Sequence, residues 1–227
     1  MNKAATYLIL YLLSTNYLLA QEKESSTKEL KAMGGISNVV KTNPFALAIG
    51  DIFFTSEIRV VNEFVNGTHQ SSQIGLSYLT KGPILMILEN ANGNGDEKLT
   101  VSGFRIQVAH KFYFSEHLAT NFQVAPRGIY LSPHISYSTA RVSTKNLNQY
   151  DRFIQATQFN MNMLIGYQII ANGDFAFDFF AGLGFKENRW FEHESARHVT
   201  RIDPFTDFPL YSSPLKITLG FNTGFAF

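Results

Sequence analysis

The chain of 227 residues has no cysteine. Disulfides, thiolate metal sites and thiol catalysis are therefore excluded together. Charge is scarce too: Asp, Glu, Lys and Arg make up 16% of the residues, against about 25% in an average soluble domain. A formal net charge of +1 gives no electrostatic case for binding nucleic acid. After residue 20, no apolar run is long enough for a transmembrane helix, which needs about 20 such residues. What the chain does have is aromatic surface, with 21 Phe and 10 Tyr. A sequence poor in charge and rich in Phe needs an apolar place for its outer surface.

The first twenty residues read as an export signal: Lys3, an apolar stretch from Tyr7 to Leu13, and Leu18-Leu-Ala20 before a cleavage point at Gln21. Residues 21–36 read as a polar lead-in and 37–227 as a single domain. In that domain the dominant pattern has a period of two. In Leu215–Phe227, Ile217, Leu219, Phe221, Phe225 and Phe227 alternate with Lys216, Thr218, Gly220, Asn222, Gly224 and Ala226. Similar alternation predicts strands over Ser37–Ala48, Ser56–Val65, Ser71–Leu79, Gly103–Phe114, Gly128–Thr139, Thr157–Ile169 and Phe175–Lys186, eight with the last. Pro44 leaves the facing of the first strand open. Pro83–Leu88, within a long insertion, is a strand extension, a short helix or a lid.

The polar face decides which side is wet. Strands six to eight carry Gln, Asn, Ser, Thr and Gly there with few charges, whereas a water-facing strand usually carries Lys and Glu. The other face, rich in Phe, Ile, Leu and Met, is too bulky for the inside of eight strands. The fold expected is all-β: an eight-stranded antiparallel up-and-down transmembrane barrel with a polar lumen filled by side chains. The closing strand, ending on Phe221, Phe225 and Phe227, resembles that of small Gram-negative outer-membrane β-barrels. That resemblance implies an outer-membrane location, lipid as neighbour, a terminal signal read by the barrel assembly machinery, and a monomer.

With these facings, Glu57, Arg59, Glu63, Arg105, Lys111, Asp178 and Lys186 share the lumen as a polar cluster. Charges taken out of water need partners, so the cluster reads as a plug that holds the barrel's shape. The function expected is non-enzymatic, in envelope integrity or in surface recognition through the outer loops. A narrow channel or carrier for a small solute is the alternative, and a lipid-modifying hydrolase a second. In the seventh connection, read as a loop over about Asn188–Pro214, Arg189, Trp190, Phe191 and Phe205 are candidate recognition residues. His134 and Ser136 share a face like a catalytic pair, but the Asn that lipid A deacylases place after their Ser is Tyr137 here. His193 and His198 stand one residue too far apart for a zinc-protease helix. No catalytic residue, metal ligand or cofactor site is assigned.

Overall fold

The computed structural model describes residues 35–227, except 49, 51, 53–54, 92–98, 115–124, 145–151, 172–173, 196–197 and 203–212. The expected signal and most of the lead-in lie outside these residues. The described chain forms β1 (Asn38–Thr42), β2 (Thr55–Gly67), β3 (Gln70–Lys81), β4 (Leu99–Tyr113), β5 (Gly128–Thr144), β6 (Phe153–Ala171), β7 (Phe175–Ser195), β8 (His198–Ile202) and β9 (Leu215–Ala226). A 3-10 turn, Phe45–Leu47, follows β1, and one helix, α1 (Pro83–Ala91), follows β3.

Every pairing is antiparallel and the sheet closes. Consecutive strands pair from β1 to β7, β7 pairs with β9, and β9 pairs with β1. The nine strands make eight staves, because β8 and β9 lie end to end along β7: Trp190 faces Ile202, and Phe185 faces Leu215. The chain ends meet at one rim, where the Ser37 and Asn38 amides donate to the Phe227 carbonyl.

Hydrophobicity is inverted throughout. Outward positions hold Ile74, Leu76, Phe104, Ile106, Met161, Ile165, Phe179, Leu183 and Leu219, all exposed; inward positions hold Glu57, Glu63, Lys111, Asn160, Gln168 and Asp178, all buried. Leu219 is 78% exposed while Glu63 is 0% exposed. A protein in water would lose on both counts, since apolar area left wet forgoes about 25 cal/mol per Å². The arrangement is stable when hydrocarbon is the outer solvent, and a closed barrel is one of the two structures able to satisfy its backbone there. Phe112, Phe114, Phe175, Phe225 and Phe227 are all exposed near the rim that holds the termini, the depth at which barrel aromatics meet the interface.

Several expectations are corrected. The first strand ends at Thr42 rather than Ala48, since Pro44 has no amide hydrogen for a ladder and starts the 3-10 turn. Of the three readings of Pro83–Leu88, the helix holds, extended to Ala91. The seventh connection is not a loop from Asn188. β7 continues to Ser195 and β8 returns alongside it, so the polar residues that look like a loop are the wet end of a tall hairpin.

Candidate functional site

Apolar side-chain clusters cap the lumen near each end. Near the termini, Val65, Tyr113, Ala125 and Tyr130 form one apolar cluster with Phe180 against it, and Val39, Ala176 and Ala226 form another with Ile36 and Ile170. Ala125 is tied to this end, because its amide donates to the Thr68 carbonyl of the β2–β3 turn. At the far end, Ile52, Leu79, Val101, Ala140 and Ala156 pack together with Leu85 of α1, Val142 and Trp190. Lys81 pairs with Glu89, whose other oxygen accepts from the Leu99 amide at 2.8 Å, so α1 is pinned at both flanks.

Two ionic networks lie between these caps. The one nearer the termini is built on Lys41, Glu63, Lys111 and Asp178, from β1, β2, β4 and β7. Lys41 Nζ donates to Glu63 Oε2 at 2.5 Å, to Asp178 Oδ2 at 2.7 Å and to Gln168 Oε1 at 3.1 Å. Lys111 Nζ donates to the same three oxygens, at 3.3, 2.8 and 2.6 Å respectively. The carboxylates' second oxygens accept from Tyr113 and Ser71 on Glu63, and from Tyr130 on Asp178, at 2.5 to 2.7 Å. Lys111 also sits 4.0 Å from the centre of the Tyr130 ring. With two cations, two anions and neutral donors on the remaining lone pairs, this network meets the condition under which buried charge is tolerated.

The second network is centred on Glu57. Arg59 Nε and Nη2 grip its two oxygens at 2.9 and 2.7 Å, a bidentate pair across alternate residues of one strand. Arg105 Nη1 reaches Glu57 Oε2 at 3.3 Å, and its Nη2 donates to Ser136 Oγ at 2.9 Å. A small cavity of about 90 Å³ lies beside both networks, and Arg59, Arg105, Lys111, His134, Asp178 and Asn222 are among its lining.

Of the expected lumen residues, Glu57, Arg59, Glu63, Arg105, Lys111 and Asp178 fall into these two networks. Lys186 is half-buried in register with Asn160, on the inward face further toward the far end. Lys41, 1% exposed, escapes a reading of the sequence because Pro44 blurs the first strand. The available clue is that Lys41 shares a face with Val39 and is the one charge in β1. Of the candidate recognition residues, Phe205 lies outside the described residues. Arg189 and Phe191 are strand residues of β7, Arg189 being paired with Glu187, and Trp190 packs inward on the cap at the far end. Phe225 and Phe227 face outward and exposed, and Phe221 is half-buried among the rings of Phe45, Phe177 and Phe179.

No family model and no curated protein matches this chain. Among solved structures it is similar to a major outer membrane protein from Thermus thermophilus, with a TM-score of 0.45 and 9% identity over 84% of this chain and 98% of that one. A likeness that distant carries no argument, so the functional reading rests on the barrel itself.

Among the described residues, His134, Ser136 and His193 of the two histidine motifs are engaged by neighbouring side chains. Ser136 Oγ accepts from Arg105 and, at 3.2 Å, from Asn160, while His134 Nδ1 is 3.2 Å from Asn162 Nδ2. His193 stacks on Phe153 with ring centres 4.4 Å apart and meets Gln155 Oε1 at 3.2 Å. Among the described residues no group of three His, Asp or Glu is placed to hold a metal.

Proposed function

We propose that this chain is an integral outer-membrane barrel of a Gram-negative-type envelope, with a plugged lumen and a non-enzymatic role in envelope integrity or surface recognition. The observation that carries the reading is the inversion itself: Asp178 and Glu63 at 1% and 0% exposure inside, with Leu219 and Ile217 at 78% and 64% outside. An interior of eight staves is about wide enough for its own side chains. Here those side chains are ion-paired across the lumen and capped at both ends, which supports a plug over a pore. On this reading Phe221, Phe225 and Phe227 serve the barrel assembly machinery, the barrel works as a monomer in outer-membrane lipid, and an exported precursor loses residues 1–20. Contacts with other surfaces fall to the end opposite the termini, where β5 to β8 rise.

Planar-bilayer recording tests the plug. Detergent-folded protein should insert without discrete conductance at neutral pH. Reproducible steps that vanish in Arg105→Ala or Lys111→Ala would replace the plug with a narrow channel.

A further inference from the structure

The barrel wall has a seam. β1 pairs with β2 only at Val61–Phe64 and with β9 only at Thr223–Ala226. Beyond Thr42, no strand of the described residues lies between β2 from Thr55 to Val60 and β9 from Leu215 to Asn222, since β1 alone separates them in the sheet order. On β9 the Ala226 amide donates toward β7, to Asp174. Antiparallel alternation therefore turns the N–H and C=O groups of Ile217, Leu219 and Phe221 toward the seam. These residues stand level with Leu183 and Met163, in the exposed apolar belt. An open sheet edge at that depth is costly to leave bare.

The 3-10 turn lies over the seam. The Phe45 ring meets Phe221 edge-on with centres 6.3 Å apart, and Ser56 Oγ donates to the Leu47 carbonyl. The cover is thin, because Phe45 is 67% exposed. Outside lies an open apolar groove of about 1180 Å³, lined by Ile165, Tyr167, Phe179, Ile217 and Leu219, with the smaller Ala181 among them. This groove and the lumen cavity share Phe45, Phe180, Thr218 and Leu219. The groove and the lumen cavity are thus separated at this height by a few side chains of the wall.

Within the cavity, Gln107 Oε1 and Asn222 Oδ1 are buried and have no hydrogen-bond partner among the described residues, and Thr218 Oγ1 is in the same state. Gln107 and Asn222 are 7% and 6% exposed. Arg59 lines the same space. The site therefore offers neutral polar groups and a cationic donor together, in a cavity of about 90 Å³. Among lipid heads a carboxylate is the smallest anion, and it pairs with a guanidinium such as that of Arg59; the side-chain amide N–H groups of Gln107 and Asn222 and the Thr218 hydroxyl can donate to it.

We propose that the seam is a lateral binding site for a long-chain fatty acid, with the acyl chain in the outer groove against β9 and the carboxyl group turned into the lumen beside Arg59, Gln107 and Asn222. The proposal goes beyond the plugged-barrel reading but rests on its membrane-embedded part, so flotation with phosphatidylcholine vesicles is checked first and separates failure of that reading from failure of this one. Palmitic acid with a mid-chain diazirine is then photolysed in the vesicles and its adducts are mapped by mass spectrometry. Adducts should concentrate on Phe45, Ile217, Leu219 and Phe221 and fall at least fivefold under excess palmitic acid but not under methyl palmitate. A disulfide between Phe45→Cys and Phe221→Cys, clean in a chain with no native cysteine, should cut them similarly until reduced. Even labelling of outward residues on all staves, or labelling that excess palmitic acid leaves unchanged, would show ordinary annular lipid and overturn the site. Equal competition by methyl palmitate would overturn the carboxyl assignment.

Discussion

The two ionic networks are made of the same kinds of residue and differ in how completely they close. Near the termini, two lysines and two carboxylates from four strands meet around shared oxygens, and two tyrosines and a serine fill the outer lone pairs. Around Glu57, Arg59 grips the carboxylate with two nitrogens and Arg105 reaches it with one, and both arginines line the cavity. The first ties β1 into β2, β4 and β7 and serves as a clasp where the barrel closes. The second sits level with the part of the wall that β1 does not reach. Closure by charge and closure by strand coincide, and both loosen at the same height.

The largest effect expected from this contrast is at Asp178. Asp178→Ala leaves Lys41 and Lys111 sharing Glu63, and breaking a buried ion pair from one side typically costs about 3–5 kcal/mol. The urea midpoint of the folded form in vesicles, followed by heat-modifiable gel migration, should fall accordingly. Glu57→Gln should cost less, roughly 1–3 kcal/mol, because the amide keeps an acceptor oxygen in place for Arg59 whereas Asp178→Ala removes both oxygens. Equal losses for the two variants would erase the distinction between the two networks.

Backbone packing sharpens the same comparison. A Cβ on Gly224 would stand 1.9 Å from the Val40 carbonyl oxygen, where β9 meets β1, whereas one on Gly220 would stand 2.1 Å from the Phe180 ring. Backbone cannot step aside and a ring can, so Gly224→Ala should destabilise by about 1–3 kcal/mol and Gly220→Ala by less, on the same unfolding assay. The smallest effect is expected at the far cap. Glu89→Gln removes the Lys81 pairing that pins α1, a change of about 0.2–1 kcal/mol for a partly wet pair, and should show as faster proteolysis near residue 91 with little change in the midpoint.

Much of this was legible from alternation alone. In β6, Gln158, Asn160 and Asn162 are buried while Phe159, Met161 and Met163 are exposed, as a period of two with small polar residues inward requires. The extent of the elements was harder. Glu187 to Glu194 look like a loop because, beyond the hydrocarbon, both faces of β7 are free to be polar and aromatic residues turn inward, as Trp190 does. Lys41 and the seam share a cause. A five-residue strand has too few positions to display a period, and what it leaves unpaired depends on where it stops, which only Pro44 announces.

The staves differ greatly in height. A tilted strand crosses a bilayer in about 9–11 residues, yet β5, β6 and β7 have 17, 19 and 21. The surplus, at about 3.3 Å per residue, builds a parapet some tens of ångströms tall along one arc of the rim, while the arc formed by β1 stops low. Anything approaching over that arc meets hydrogen-bonded sheet before it meets lipid, and approach to the low side is screened from one direction only.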